Sequence, residues 1–281
     1  MRPWDTVAIV GVGLMGGSIG LALQQRKLAR RVVGVGRRVA SLRKARECGT
    51  VTETTTRLER GVAEADLIIV CTPVADIVDR VCEAARHCPP EALITDVGST
   101  KSRIVRELER RLRSGPAFIG SHPMAGSEKT GPAHARADLL VERVTVVTPT
   151  PRTRDADVER IERFWAALGA RVVRMTPLDH DQAVAMTSHA THLVAAALAA
   201  ATPACALSLA ASGWQDTTRI AAGDPQLWVQ ILLANRPEVL KSLGQFEKSL
   251  ATFRAALARG DATRLLQLLD AGKQTRDSVG S

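Results

Sequence analysis

The segment Gly120-Ser121-His122-Pro123-Met124-Ala125-Gly126-Ser127-Glu128-Lys129 sets one histidine between a short apolar run, Ala117-Phe118-Ile119, and a turn rich in Gly and Pro. A strand ends there and an open site begins, and an imidazole so placed can accept a proton near neutral pH. A histidine that merely caps a loop fits the same residues. Two further clusters weigh for chemistry. Upstream, Gly11-Val12-Gly13-Leu14-Met15-Gly16 is a GxGxxG pattern between a β-branched run at 6–10 and a helical pattern over 14–25. In that setting Gly11 permits a tight turn, Gly13 lets the backbone approach a pyrophosphate, and Gly16 lets helix and sheet pack closely. The helix N-terminus, opening at Leu14 and Met15, offers unpaired N–H groups to phosphates. Downstream, Asp179-His180-Asp181 precedes Ser188-His189-Ala190-Thr191-His192. Then comes Gly213-Trp214-Gln215-Asp216-Thr217-Thr218-Arg219, followed by Asp224-Pro225 and Trp228.

His189 and His192 are three apart and share a helix face. No acid or cysteine completes a ligand set at matching spacing, so no metal is expected. An arginine in a short segment between apolar helices suits a carboxylate clamp, because its planar fork bonds two oxygens at once. A packing ion pair of Arg219 with Asp216 or Asp224 is the alternative.

The second strand ends Val35-Gly36-Arg37-Arg38. An NAD site usually carries an acid here for the ribose 2′-hydroxyl. Two arginines suit a 2′-phosphate instead, which favours NADP over NAD, although a simply exposed pair fits too. Cys71-Thr72-Pro73 and Asp96-Val97-Gly98-Ser99-Thr100-Lys101 follow the third and fourth strands, at the edge where doubly wound sheets bind ligands. Thr72 and Pro73 are therefore expected at the cofactor. Ser99 reads equally as a helix cap or a site residue.

The elements that must position these groups follow from periodicity. Short apolar runs at 6–10, 31–35, 67–70, 92–97, 117–120, 144–148 and 171–175 alternate with helical patterns at 14–25, 41–48, 74–86, 101–113 and 155–168. That alternation predicts an α/β fold with a doubly wound parallel sheet. After Pro177 no strand pattern remains. Helices are expected at 179–201 and 225–234, with a small apolar run at 203–212 that reads as buried. A long helix opens at Pro237, and Val239, Leu243, Phe246, Leu250, Phe253 and Leu257 make a heptad-like seam along it. Gly260 stops this helix and Asp261 caps the next. The division is thus 1–176, a dinucleotide-binding domain, and 177–281, an all-helical domain. The latter has a small core of its own, so the seam predicts a homodimer through the C-terminal helices.

Composition narrows the classes. With 281 residues, 45% hydrophobic and 24% charged, the chain reads as an ordinary globular protein of two domains. No apolar run of membrane-spanning length and no signal-peptide layout is read, so a cytoplasmic location is expected, with no membrane partner. The five cysteines show no CxxC spacing and read as reduced thiols. The net charge of +9 is scattered over helix faces, and aromatics are only 3%, which argues against nucleic acid and suits an anionic small ligand. The absence of tyrosine has no physical account.

Taken in order, Gly11–Ser18, Asp96–Lys101, Gly120–Gly131, Asp179–His192 and Gly213–Trp228 resemble the prephenate/arogenate dehydrogenase family of tyrosine biosynthesis. The resemblance spans nearly the whole chain. It implies a Rossmann-type domain followed by an all-helical dimerisation domain, and NAD(P)-dependent oxidative decarboxylation of prephenate to 4-hydroxyphenylpyruvate, of arogenate to tyrosine, or of both. It implies His122 as the proton acceptor and Ser99 as the residue orienting the hydroxyl. Arg219 anchors a substrate carboxylate, and His192, Glu128, Ser127, Gln215 and Trp228 belong to the substrate site. Many relatives carry a basic residue where Gln215 stands, and its loss implies a shift towards arogenate. The chain has room for neither a chorismate mutase nor a regulatory domain, so feedback by tyrosine would act at the substrate site or the dimer interface.

Two rival readings differ in their requirements. A β-hydroxyacid dehydrogenase needs a lysine on the interdomain helix, where 179–201 offers histidines. A non-catalytic NADP-sensing regulator keeps Gly11–Gly16 but has no need of His122, Arg219 or Ser99.

Overall fold

A computed structural model describes residues 3–112, 114–126 and 129–280. Its strands are β1 (Trp4–Val10), β2 (Ala29–Val35), β3 (Glu53–Thr55), β4 (Leu67–Val70), β5 (Leu93–Asp96), β6 (Ala117–Pro123), β7 (Val144–Thr148) and β8 (Arg171–Arg174). They form one sheet in the order β3-β2-β1-β4-β5-β6-β7-β8. The helices α1 (Leu14–Gln25), α2 (Val39–Glu47), α3 (Leu58–Val62), α4 (Ile77–Ala85), α5 (Ser102–Arg111) and α6 (Asp155–Ala167) cover it. The central strands are apolar on both faces because helices pack on both. Along β1, Val7 and Ile9 join Ile19, Leu23 and Trp165 in one core, while Ala8 and Val10 join Ile77, Val81 and Leu108 in the other. This is the two-residue alternation of a strand.

Two features depart from the sequence expectation. β3 and α3 are too short and polar to register as periodic segments. The sheet is also not wholly parallel, since β7 runs antiparallel to β6, with His122 opposite Val146. A parallel neighbour needs a crossover. Here the described residues of 129–143 stay at the carboxyl edge instead, and Arg136 N–H donates to Ser18 Oγ of α1 at 3.0 Å. β7 therefore returns directly, and His122 sits beneath a long loop.

Beyond β8 the described chain is helical: α7 (Pro177–Val184), a π-turn at Ala185–His189, α8 (Ala190–Ala201), α9 (Ser212–Thr218), α10 (Pro225–Ala234), α11 (Arg236–Ala258) and α12 (Ala262–Ser278), with short 3₁₀ turns at Ala204–Leu209 and Arg219–Ala222. Thr176 Oγ1 caps α7, Asp224 caps α10 and Asp261 caps α12, each accepting a backbone N–H. Ile231 of α10 enters the second core and ties the helices to the sheet domain. The stretch 203–212 is not buried as expected: Leu209 is 84% exposed. The run Pro177–Ala201 is, against expectation, long and apolar enough to cross a membrane by length and composition. Its buried His180, Asp181, His189 and His192 are hydrogen-bonded or stacked within the molecule, the pattern of a core helix.

Candidate active site

His122 lies at the end of β6, on the face opposite Ser121. The Ser121 hydroxyl contacts Thr95 Oγ1 at 2.8 Å and accepts from Trp165 Nε1 at 2.9 Å, which locks the strand from behind. Gly120 is needed just before it, because a Cβ there would meet Thr148 Oγ1 at 2.6 Å and crowd the Lys101 side chain. Lys101 is wholly buried and pairs with Asp96, which also accepts the N–H groups of Gly98 and Ser121 at 2.9 and 3.1 Å. Burial pulls the Lys101 ammonium below its ordinary range, opposed by the Asp96 charge. An unpaired ammonium could not be held there.

His122 Nδ1 is 2.8 Å from His180 Nε2, and His180 Nδ1 is 2.8 Å from Asp181 Oδ1. Asp181 also accepts the N–H groups of Lys101 and Ser102, at 2.7 and 2.8 Å, at the start of α5. Burial pushes the His122 imidazole well below its usual value, and the neighbouring His180, Lys101 and His189 push the same way. His122 is therefore neutral at physiological pH, the form a base needs.

The cleft over His122, about 1220 Å³, is lined by Leu14, Ser99, Met124, Ser188, His189 and Trp228 among others. The structure thus brings Ser99, His122, Trp228 and Leu14 together. His192 is buried behind this wall, stacked on Trp228 with ring centroids 3.6 Å apart. The lining histidine is His189 instead, one helical turn earlier, where the π-turn rotates it towards the cleft. π-turns recur at functional sites. Arg219 is exposed, and the next residue, Ile220, is the one that lines the cleft. The expectation that Arg219 and His122 share one cleft is thus not met within a single chain: the 3₁₀ turn directs Ile220 inward and leaves Arg219 exposed outside the lining. It makes no ion pair with Asp216 or Asp224 among the described residues. Gln215 is exposed, its amide turned back to the Ala210 carbonyl at 3.3 Å, away from the lining residues. Ser127 and Glu128 lie outside the described residues. The sequence marks Asp179-His180-Asp181 as a cluster without giving its residues a role, and gives no signal for Asn235.

A second groove, about 790 Å³, runs along the carboxyl edge beside Gly11, Gly13, Arg37, Arg38, Thr72 and Pro73. Gly11 has φ +102°, and a Cβ on it would meet the Cys71 carbonyl oxygen at 2.7 Å. A Cβ on Gly16 would fall 2.1 Å from the Gly11 carbonyl oxygen, so α1 docks only with glycine there. Gly13 instead looks onto open space. Among the described residues no side chain caps α1 and Thr72 Oγ1 is buried without a partner. A dinucleotide fits this cradle: the free N–H groups of α1 would hold its phosphates, and Arg37 and Arg38, which line the groove without ionic partners among the described residues, would hold its ribose end. Met15 packs into the sheet core instead of facing the groove.

The family model for the nucleotide-binding domain of prephenate dehydrogenase matches residues 19–174, and that for its dimerization domain matches residues 176–271. The chain belongs to the prephenate dehydrogenase family. It is 33% identical to the prephenate dehydrogenase of Bacillus subtilis over 98% of this chain and 76% of that one. Among solved structures it resembles the prephenate dehydrogenase of A. aeolicus in complex with hydroxyphenyl propionate and NAD+, with a TM-score of 0.91, 32% identity and 98% of each chain covered. It likewise resembles the Synechocystis arogenate dehydrogenase, with a TM-score of 0.84, 31% identity, and 98% and 99% covered. Members of this family are nicotinamide-dependent oxidoreductases with a Rossmann-type domain and a helical domain, and this chain has both.

Proposed function

We propose that this chain catalyses oxidative decarboxylation of prephenate, arogenate or both in tyrosine biosynthesis, with NADP as the preferred cofactor. The observation that carries the reading is His122: buried, neutral, and on the cleft wall next to Ser99 beside a dinucleotide groove. Its free ring nitrogen accepts the ring-hydroxyl proton while hydride leaves the carbon bearing that hydroxyl. A nicotinamide, its dinucleotide held by the Gly11–Gly13 turn, would supply the hydride acceptor. The C–C bond to the ring carboxylate then breaks, its electron pair completes the aromatic ring, carbon dioxide leaves, and His122 returns the proton to the phenolic oxygen. Ser99 orients the hydroxyl. Because aromatisation drives the reaction, the protein's main task is placement of hydride donor and acceptor, roughly 3–3.5 Å apart.

Trp228 walls the ring, and Arg219, exposed and without an ionic partner among the described residues, meets a substrate carboxylate. Gln215 lies away from the cleft, so its replacement of a basic residue gives no ground for preferring arogenate. Arg37 and Arg38, with no acid at the end of β2, support NADP. The helical domain supports a homodimer: Leu240, Leu250, Leu257, Leu266 and Leu269 are each more than half exposed on α11 and α12. Five unpaired cysteines suit the reducing cytoplasm. Absorbance at the reduced-nicotinamide band, followed with each substrate and each cofactor, tests the reading. Turnover with a cyclohexadienyl substrate supports it, and silence with all four pairs refutes it.

A further inference from the structure

The hydrogen-bond chain behind His122 has a direction that its chemistry fixes. Asp181 is ionised: burial raises its pKa, but the bonds from His180 and from the N–H groups of Lys101 and Ser102 outweigh this and hold it below the ordinary carboxylate value. An ionised carboxylate only accepts. His180 Nδ1 must therefore carry a hydrogen, which leaves His180 Nε2 bare in the neutral ring. The atom facing it, His122 Nδ1, must then donate. A neutral His122 has one ring N–H, so its Nε2 is the bare nitrogen left for the cleft.

We propose that His180, oriented by Asp181, is a positioning residue for the dehydrogenation: it holds His122 in the Nδ1–H tautomer and shares the charge His122 acquires. When His122 takes the hydroxyl proton at Nε2, its Nδ1 proton passes to His180 Nε2, and the positive charge comes to rest against the Asp181 carboxylate. The transfer reverses when the proton returns. This deepens the reading above and relies on it for the identity of the proton donor.

Charge around the two rings favours this role. Lys101, from the β5–α5 junction, pairs with Asp96 but still opposes a positive charge on His122. His189 comes from the π-turn, and Asn235, at the head of α11, donates to the Asp181 carbonyl at 2.7 Å and holds that residue's backbone. Asp181 is the ionised carboxylate bonded directly to the pair. A purely packing role for His180, whose ring meets His122 edge-on at 5.1 Å between centroids, is the competing account.

Two measurements decide. In ¹⁵N–¹H correlation spectra of histidine-labelled protein, assigned with His122→Asn, His122 should show a protonated Nδ1 and a bare Nε2 at neutral pH; the opposite tautomer overturns the proposal. This arm needs no substrate, so it decides even if neither cyclohexadienyl acid turns over, an outcome that would sink only the parent reading. In kinetics, His180→Leu should lower kcat about 100-fold with KM within about threefold, and should shift the acid limb of kcat. His180→Gln, whose carbonyl accepts from His122 and whose amide donates to Asp181, should recover about tenfold of that loss. Full activity in His180→Leu, or lost activity with an unmoved acid limb and no recovery in His180→Gln, contradicts the proposal.

Discussion

The Asn235 side-chain amide nitrogen lies 3.2 Å from Nδ1 of His189 and also donates to the Asp181 carbonyl. An amide nitrogen only donates, so His189 Nδ1 accepts and its Nε2 carries the hydrogen. That Nε2 is buried and has no partner among the described residues, on a residue that lines the cleft. It is a donor waiting for a ligand oxygen, and a buried donor left unmatched is costly. His189→Leu should therefore raise KM for the substrate about 10- to 100-fold, the size of a lost hydrogen bond to a charged group, and change kcat by less than about threefold. Steady-state kinetics at saturating cofactor measures both. An unchanged KM would remove His189 from the substrate site.

Arg37 and Arg38 line the groove beside Gly11 and Gly13 without ionic partners among the described residues. If they hold a 2′-phosphate, replacing both with alanine should weaken NADP binding about 10- to 100-fold, the loss of charge-assisted bonds. NAD binding should stay within about twofold. Cofactor titration by fluorescence separates the two, and equal losses for NAD and NADP would show that the arginines do not read the phosphate.

Stability should fall in mild acid. Burial lowers His189 from 6.5 to about 4, and holds His122 well below 6.5. Above pH 6.5 these groups are neutral whether the chain is folded or not, and they cost nothing. Below it, the unfolded chain takes up protons that the folded chain refuses. Stability is then lost progressively down to about pH 4, by roughly 3 kcal/mol for His189 alone. Thermal unfolding should show a flat Tm between pH 7 and 8 and a steady fall from 6.5 to 4. His189→Gln should flatten part of that fall. A Tm that held level to pH 4 would contradict the burial of these rings.

Leu250 is 56% exposed on α11, with Leu257 at 69% on the same seam. An apolar row of this kind calls for a partner surface. Leu250→Asp should convert a homodimer into a monomer at micromolar concentration, read by sedimentation velocity. A monomeric wild type, or a variant that sediments as the wild type does, would leave the seam without its proposed role.

The parts of the fold written in periodicity were legible. Continuous β-branched runs marked β1, β4 and β5 because both sheet faces are buried. β3, three residues of Glu-Thr-Thr, carries no such signal and forms only by pairing with β2. The antiparallel turn of β7 was illegible because direction depends on the path of the preceding loop, which no local pattern encodes. In the site, His122 was legible from its strand-end context, and the cofactor glycines from their spacing. His189 and His192 were not distinguishable, since three-residue spacing gives one face of a regular helix and the π-turn breaks that regularity. Arg219 illustrates the same limit: a sequence marks the turn, but not which of two adjacent residues points inward.

The account depends most on proton acceptance by His122, and one comparison tests it: single-turnover rate and cofactor affinity for wild type and His122→Asn. The account predicts unchanged cofactor binding and a rate at least about 100-fold lower in the variant, the usual size of a lost general base. A variant that turns over as fast as wild type would contradict it.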